Sequence, residues 1–308
     1  MRVLLTGASG FIGRHSVPVL LKKGHEVHAV SFSKPGENQR NLYWHQSDLL
    51  APKQVQELIE TVSPSHLLHF AWYTEHGKFW NSLENFRWVQ ASLELLQLFA
   101  NNGGQRAVVA GSCAEYDWNH ALCAELTTPL IPETVYGGCK HALQIMLSCF
   151  SKETGLSSAW GRIFHVYGPH ENPERLVASV IRSLLLGKEA RCTHGEQIRD
   201  FLHVAKAAAA FVELLESTVE GPVNIASGHP VALKDLILEI GKRIGNPNLI
   251  RLGAIGSRQG EPLMLCADIT RLRDEVRWTL SKSDAKNDMD STIQWWREKL
   301  MGEAVEAR

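Results

Sequence analysis

The chain has little of what marks a secreted, membrane-bound or nucleic-acid-binding protein. Its six cysteines include no C-x-x-C pair, its formal net charge is -1, and like charges form no block. It has no run of about 18 uninterrupted apolar residues, and its start resembles a strand and glycine turn more than a signal peptide. We therefore expect a cytoplasmic protein with free thiols, no disulfide scaffold, and neither a membrane nor a nucleic acid as partner.

A metal site is not expected either. Among the 14 histidines, His66 and His69 lie close together on a predicted strand. Their spacing is odd, and an odd spacing on a strand directs two side chains to opposite faces of the sheet. These two histidines therefore do not form a metal-binding pair.

The first half of the 308-residue chain alternates short apolar segments with longer amphipathic ones. The predicted strands are residues 2–6, 25–31, 66–71, 107–111 and 158–164. The predicted helices are residues 11–23, 52–62, 84–102 and 133–153. Apolar strands without polar alternation are typical of parallel sheets buried on both faces. The alternation predicts an α/β protein with a Rossmann-type doubly wound parallel sheet.

The second half alternates less strictly and is rich in turns. Helices are predicted at residues 175–186, 206–216, 233–244 and 291–300. We interpret residues 1–164 as a dinucleotide-binding domain and residues 165–308 as mainly a smaller C-terminal α/β substrate lobe. Elements near residues 204–228 are expected to return to the first domain.

A glycine-rich turn follows the first predicted strand directly. It contains Gly7, Gly10, Phe11, Ile12 and Gly13, with the spacing G-x-x-G-x-x-G. Glycines let a backbone turn tightly and approach a pyrophosphate, and the next helix offers free N–H groups at its N-terminus. The position of the turn, between a strand and a helix, predicts a dinucleotide site.

A second pattern, Tyr136-x-x-x-Lys140, starts a predicted helix. Residues four apart lie on one helix face, so the lysine can lie beneath the tyrosine ring. A free tyrosine has a pKa near 10, and a nearby ammonium favours the phenolate. Tyr136 can then exchange a proton with a hydroxyl while hydride moves to or from a nicotinamide. Ser112 lies at the carboxyl end of a predicted strand, where open α/β sheets bind ligands.

These motifs, with HFA at 69–71, GSCAEY at 111–116, RIFHVYGP at 162–169, RDFLHV at 199–204 and NIASG at 224–228, occur in a familiar order. Over nearly the whole chain, they resemble the extended short-chain dehydrogenase/reductase family, also called the NAD-dependent epimerase/dehydratase family. Within it, the chain is most similar to nucleotide-sugar epimerases, dehydratases and 4-ketoreductases. The resemblance implies that Ser112, Tyr136 and Lys140 are the catalytic triad.

The resemblance also implies cofactor contacts at Asp48, Leu49 and Ala71, besides Tyr136 and Lys140.

Two departures from the family pattern concern the reaction. Dehydratases carry an Asp-Glu pair just after the serine, where this chain has Cys113 and Ala114. Epimerase-reductases of the 3,5 type carry a cysteine two residues before the tyrosine of this segment, where this chain has Ala114. Dehydration is therefore disfavoured, and Cys113 is interpreted as a packed small side chain.

The end of the second strand bears on the choice of cofactor. NAD-binding folds usually have an acidic residue there, which bonds the adenine ribose and repels a 2′-phosphate. Here the segment is Ser31-Phe32-Ser33-Lys34, and Arg14 follows the last glycine. Two hydroxyls and two cations suit a phosphate, so NADP(H) is favoured over NAD(H). The alternative is that Lys34 and Arg14 are solvated surface charges.

On the substrate side, Arg199 and Arg258 match family arginines that meet a nucleotide diphosphate, and arginine suits phosphate oxygens. Glu115 is expected to contact a sugar hydroxyl or to face solvent. His165 replaces a family asparagine that touches the sugar or the diphosphate. The expected partner is a nucleotide-diphosphate sugar. The family also suggests a homodimer through two long helices, with Leu93, Leu96, Leu143 and Leu147 as candidate contacts.

Three functions remain in competition. The first is an NADPH-dependent reduction of the 4-keto group of a nucleotide-linked deoxysugar. The second is a nucleotide-sugar 4-epimerase that retains NAD. The third is a non-catalytic NADP-binding regulator, which would not need Ser112, Tyr136 and Lys140 together.

Overall fold

The computed structural model describes residues 1–33, 36–256, 260–280 and 284–306. Lys34 and Arg258 therefore lie outside the described residues. The strands are β1 (Arg2–Thr6), β2 (Glu26–Ser31), β3 (Leu42–Gln46), β4 (His66–His69), β5 (Arg106–Ser112), β6 (Leu122–Cys123), β7 (Ser157–Ile163), β8 (His165–Tyr167), β9 (Ala190–Arg191), β10 (Ile198–His203), β11 (Gly221–Ile225), β12 (Pro230–Ala232), β13 (Ile250–Arg251) and β14 (Met264–Ala267). The α-helices are α1 (Gly13–Lys22), α2 (Pro52–Val62), α3 (Glu84–Asn101), α4 (Val135–Thr154), α5 (Leu176–Leu185), α6 (Val204–Glu216), α7 (Leu233–Ile244) and α8 (Asp284–Glu306).

A seven-stranded parallel sheet forms the centre of the molecule, in the order β3-β2-β1-β4-β5-β7-β11. The strand order reverses between β1 and β4, which is the point where doubly wound sheets bind ligands. The predicted α/β fold with a Rossmann-type sheet is confirmed. β11 adds residues 221–225 to this sheet beside β7, so the chain returns to it after entering the second lobe.

Helices cover both faces of the sheet. α1 and α6 pack on one face, where Leu20 and Phe211 are fully buried. α2, α3 and α4 pack on the other, where Ile59, Phe99 and Leu143 are fully buried. Because both faces of the sheet are covered, side chains on both sides of each strand are apolar, which explains the continuous apolar segments in the sequence.

The second lobe is built on a smaller sheet, in the order β12-β10-β14-β6, with β8 paired to β10. α5, α7 and α8 share an apolar cluster in which Trp296 is buried. β10 pairs with β8 through Phe201, Leu202 and His203. The segment after β7 is thereby held beside the carboxyl edge of the large sheet.

Some boundaries differ from the sequence prediction. α1 begins at Gly13 because the preceding residues form the glycine turn. α8 runs from Asp284 to Glu306, well beyond the predicted residues 291–300. The two-residue and three-residue strands of the second lobe were not predicted, since so few residues show no periodicity. Among the described residues, no helix combines the length and apolar character needed to cross a membrane.

The leucines proposed as dimer contacts are mostly not on the surface. Leu96, Leu143 and Leu147 are 1%, 0% and 2% exposed and belong to the cluster beneath α3 and α4. They face the sheet, so this part of the prediction was wrong. The exposed apolar side chains on the two helices are instead Phe86 on α3 and Ile145 on α4, together with Met146.

Candidate active site

The glycine turn joins β1 to α1 at the switch point of the sheet. Gly7 has φ +66°, and a Cβ there would lie 2.8 Å from the backbone N of Ala71. A Cβ on Gly13 would lie 2.1 Å from the carbonyl oxygen of Gly7. Both positions therefore require glycine, and the turn is closed by a 2.9 Å bond from Gly10 N–H to Gly7 O. This narrow cradle at a helix N-terminus fits a dinucleotide pyrophosphate.

The other residues predicted at this turn lie around it. Phe11 and Ile12 are half-buried and pack on the core beneath α1. Ala71 follows β4, and its backbone N–H donates to Thr6 Oγ1 at 3.3 Å. The ends of β1 and β4 are thus tied together beside the cradle.

The end of β2 carries hydroxyls. Ser31 Oγ lies 3.1 Å from Ser9 Oγ and 3.5 Å from Ser33 Oγ. Ser31 is 3% exposed, whereas Ser33 is exposed. The guanidinium of Arg14 donates to the carbonyls of Ser9 and Gly10 and contacts His170. Arg14 is exposed, and these bonds hold its guanidinium over the glycine turn.

Asp48 and Leu49 follow β3. Asp48 is half-buried, and its Oδ1 accepts a 2.9 Å bond from Leu50 N–H. Leu49 is 8% exposed and packs in the cluster beneath α2. The second carboxylate oxygen of Asp48 makes no other side-chain bond in the described parts of the chain, which leaves it available to an adenine amino group.

Tyr136 lies in the first turn of α4. Thr134 precedes the helix, and its Oγ1 accepts a 3.1 Å bond from Gly137 N–H. A Cβ on Gly137 would lie 2.1 Å from the carbonyl oxygen of Ala114. The missing side chain lets α4 approach the turn after β5 closely. This approach brings Tyr136 to Ser112.

The Tyr136 phenol is half-buried and lies near the Ser112 hydroxyl. Burial raises the pKa of Tyr136 above its ordinary value, while Ser112 acts in the opposite direction. The sequence predicted a phenolate favoured by Lys140. In the structure, burial outweighs the groups that favour the phenolate, so the protein by itself holds Tyr136 as a neutral phenol.

Lys140 lies one helical turn further along α4 and is 3% exposed. Its Nζ donates to Ala110 O at 2.7 Å and lies 3.7 Å from the centroid of the Trp72 ring. Burial lowers the pKa of Lys140 to about 7, and the charge of Glu115 opposes this shift. The predicted face shared by Tyr136 and Lys140 is present, with Lys140 directed into the protein below the tyrosine.

Glu115 does not contact a sugar. It is 0% exposed, and its carboxylate accepts bonds from Ser112 N–H at 2.7 Å, from Trp160 Nε1 at 2.9 Å and from Arg162 Nε at 2.8 Å. The prediction of a sugar contact was wrong, because nearby donors already surround this side chain. Glu115 instead fixes the backbone of Ser112 at the end of β5.

Cys113 is 9% exposed, and burial raises the pKa of its thiol to about 12. A thiol with such a pKa is protonated at neutral pH and is a poor nucleophile. The interpretation of Cys113 as a packed side chain agrees with this environment.

On the substrate side, Arg199 is 4% exposed on β10. Its guanidinium donates to Glu261 Oε1 at 2.9 Å and to the carbonyl oxygens of Pro262 and Ile198. A diphosphate at this arginine would have to compete with Glu261. The prediction for Arg258, on the same connecting segment, lies outside the described residues.

His165 lies on β8, and its Nε2 is buried without a hydrogen-bond partner among the described residues. Burial lowers the pKa of His165 to about 3, assisted by the charges of Arg199 and Arg175. The positive charge of Arg175 also favours the phenolate of Tyr136, as the smallest of the effects on its pKa. Sequence reasoning missed Arg175, because a single arginine before a helix carries no recognisable motif.

Aromatic rings enclose Tyr136. Phe79 and Trp80 meet Tyr136 edge to face, with ring centroids 5.0 Å and 5.8 Å away, and Trp118 meets Trp80 at 6.2 Å. Edge-to-face packing of this kind holds ring orientations. Which rings touch depends on the packing of distant segments, so the sequence could not show this enclosure.

A glycine cradle at the switch point, with Ser112, Tyr136 and Lys140 beside it, defines a dinucleotide-dependent enzyme of the short-chain dehydrogenase/reductase type. The model of the NAD dependent epimerase/dehydratase family matches residues 3–226. The chain belongs to this family, and the resemblance inferred from the sequence is confirmed.

Individual relatives differ in their reactions. The chain is 27% identical to dTDP-6-deoxy-L-talose 4-dehydrogenase (NAD(+)) of Aggregatibacter actinomycetemcomitans, over 78% of this chain and 89% of that protein. It is 24% identical to UDP-glucose 4-epimerase of Corynebacterium glutamicum, over 93% of both. The structure of Thermus thermophilus UDP-glucose 4-epimerase in complex with NAD matches with a TM-score of 0.83, at 23% identity, over 96% of this chain and 99% of that one.

Replacing Tyr136 with Phe should lower turnover by about 10²-fold or more, because the proton relay is lost. Cofactor binding should change little, since the ring and Lys140 remain. Steady-state rates and a fluorescence titration with reduced nicotinamide would measure the two effects. Turnover like that of the parent protein would remove Tyr136 from the mechanism.

Proposed function

We propose that this enzyme reduces the 4-keto group of a nucleotide-linked deoxysugar with NADPH. The observation that carries the proposal is the position of the Tyr136 phenol near Ser112, where burial raises its pKa and keeps it protonated. Reduction of a ketone needs a proton donor at the carbonyl oxygen, and a phenol with a raised pKa is in the donor form. The bound nicotinamide supplies the hydride.

The other residues of the site bind and orient the substrate and the cofactor. Ser112 and Tyr136 both bond the carbonyl oxygen, which polarises it and fixes its distance from the proton donor. Glu115 holds the Ser112 backbone in place. Lys140 would donate to the nicotinamide ribose, as the resemblance to the family implies. Arg199 and Arg175 supply positive charge for the nucleotide diphosphate, and His165 offers its unpartnered Nε2 to the sugar or diphosphate.

The preference for NADPH is supported by the end of β2, which presents Ser31 and Ser33 and no carboxylate. A cavity of about 530 Å³ beside the glycine turn is lined by Ser9, Arg14 and Gly36, among others, and has room for a 2′-phosphate. The relatives favour the other cofactor, since one is named for NAD(+) and another was solved with NAD. The NADPH proposal therefore rests on this chain's own residues.

The second candidate is a 4-epimerase that retains NAD. It is favoured by the two UDP-glucose 4-epimerases that this chain resembles over almost its full length. An epimerase must first oxidise the sugar, which requires Tyr136 as a base. The reductase is favoured by the talose 4-dehydrogenase relative, whose name describes redox chemistry at carbon 4 of a deoxysugar. Hydride transfer at carbon 4 is common to both candidates.

We also propose that the enzyme works in the cytoplasm as a homodimer. All six cysteines are free thiols, which suits a reducing compartment. The exposed apolar residues Phe86, Ile145 and Met146 lie on α3 and α4, the helices that family members use for dimerisation.

NADPH should bind more tightly than NADH, and Ser31→Asp should reverse part of that preference. The new carboxylate would repel a 2′-phosphate and accept bonds from a ribose. Ser31→Ala removes the hydroxyl without adding charge and serves as the control. Fluorescence titrations with both cofactors would measure the ratio of dissociation constants, and a ratio unchanged by Ser31→Asp would show that this position does not read the 2′-phosphate.

With a nucleotide-linked 4-keto-6-deoxyhexose, NADPH should be consumed in a one-to-one ratio with sugar, and UDP-glucose and UDP-galactose should interconvert little. Absorbance of the reduced nicotinamide and chromatography of the sugar nucleotides would follow both reactions. Epimerised product without net cofactor consumption would instead establish the 4-epimerase.

Light scattering at micromolar concentration should give the mass of a dimer. Ile145→Arg should convert it to a monomer, because a charge would be buried at the interface. Val231→Arg, at an exposed position on the second lobe, is the matched control and should leave the mass unchanged. A monomeric mass for the unaltered protein would refute the proposal.

A further inference from the structure

The buried ammonium of Lys140 has an incomplete set of polar partners. An ammonium carries three N–H donors, and in the described parts of the chain Nζ has one hydrogen bond, to Ala110 O at 2.7 Å. The next contact is the face of Trp72, whose ring centroid lies 3.7 Å from Nζ. An aromatic face attracts a cation, and most strongly where water is excluded. Trp72 is itself 8% exposed, so water is largely kept from this contact.

Trp72 is held in turn by one buried amide. Its Nε1 donates to Asn85 Oδ1 at 2.8 Å, and Asn85 is 0% exposed at the start of α3. The amide nitrogen of Asn85 donates to Phe79 O at 2.7 Å and to Ser82 O at 2.8 Å. Both N–H donors of the Asn85 amide and its oxygen are therefore engaged, the donors by one turn of the chain and the oxygen by Trp72.

That turn carries the other aromatic contact of the site. Phe79 begins the 3₁₀ turn Phe79–Asn81 and is 5% exposed. Its ring meets Tyr136 edge to face at 5.0 Å. Asn85 thus connects the ring above Lys140 with the ring against Tyr136, although it touches neither catalytic residue.

We propose that Asn85 and Trp72 are positioning residues for the catalytic pair. Trp72 holds the Lys140 ammonium against its ring face. Asn85 fixes Trp72 and the turn that presses Phe79 on Tyr136. The inference builds on the proposed oxidoreductase function, and it identifies the residues that keep Lys140 charged and in place within an apolar site.

The other groups near Lys140 do not replace this contact. The ring of Trp160 is more distant, with its centroid 6.0 Å from Nζ. Glu115, beyond the end of β5, favours the ammonium but is fully buried in an ion pair with Arg162 of β7. His69 on β4 has its pKa lowered to about 3 by burial and stays neutral. Tyr136, one turn earlier on α4, is a neutral phenol. Removing the Trp72 ring should therefore destabilise the charged form of Lys140 and lower its pKa.

The test follows the protonation of Lys140 directly. NMR of protein labelled with ¹⁵N at the lysine Nζ would give its titration midpoint, with the signal assigned by its loss in Lys140→Met. Trp72→Leu keeps an apolar side chain but removes the ring face, and should move the midpoint down by roughly one pH unit. Trp72→Phe keeps a weaker ring and should give a smaller shift in the same direction.

Asn85→Ala should also lower the midpoint, because Trp72 loses its acceptor. Asn224→Ala is the matched control. Asn224 is likewise 0% exposed, accepts from an aromatic hydroxyl, Tyr116 OH at 2.7 Å, and donates to two backbone carbonyls, those of Cys123 and Asp268. The Asn224→Ala variant should lower the thermal stability about as much as Asn85→Ala does, but leave the titration midpoint of Lys140 unchanged.

A second measurement tests whether Trp72 affects cofactor binding through Lys140. The charged form of Lys140 donates the stronger, charge-assisted hydrogen bonds to ribose hydroxyls, so cofactor affinity should weaken as pH rises through its pKa. In Trp72→Leu this weakening should occur at lower pH, for whichever of NADH and NADPH the parent binds more tightly. Failure of the parent to bind either cofactor would refute the proposed function, while the NMR midpoint would still decide the positioning role. An unshifted midpoint in Trp72→Leu and Trp72→Phe, or an equal shift in Asn224→Ala, would overturn the inference.

Discussion

The site depends on keeping one positive charge inside the protein. Burying an ammonium is costly unless charges, dipoles or hydrogen bonds compensate for the lost water. The ammonium of Lys140 donates to a carbonyl of β5 and lies against the ring face of Trp72. The negative charge of Glu115 also favours it. These groups come from different segments, so the position of Lys140 requires β5, α4 and the loop after β4 to be in place together.

Close approach of backbones makes this assembly possible. Gly137 lets α4 lie against the turn after β5, and Gly7 and Gly13 let the first helix fold back over the end of β1. The same edge of the sheet therefore holds the pyrophosphate cradle and the Ser112 hydroxyl. The buried pair of Glu115 and Arg162 then fixes the turn that carries Ser112. The catalytic geometry follows from tight packing at a few glycines and one buried ion pair.

Local spacing predicted much of this arrangement. The alternating apolar segments predicted the parallel sheet, and the three glycines predicted the turn. The four-residue spacing of Tyr136 and Lys140 predicted that they share one face of a helix. The errors concern residues whose environment is made by distant segments. Glu115 was expected at a sugar because nothing local shows that Trp160 and Arg162 reach it. Leu143 and Leu147 were expected at a dimer interface because a helix pattern does not show which apolar face meets the sheet. Trp72 and Asn85 acquire their roles only when β4 and α3 come together.

The proposed reaction transfers hydride to carbon 4 of a nucleotide-linked sugar, with Tyr136 as proton donor. The most direct measurement uses NADPH carrying deuterium at the transferable position of the nicotinamide and a nucleotide-linked 4-keto-6-deoxyhexose. Proton NMR and mass spectrometry of the product would locate the label. The account predicts one deuterium at carbon 4 of the sugar. A reduced product without deuterium at carbon 4, or no reduction of the keto sugar with either NADPH or NADH, would contradict it.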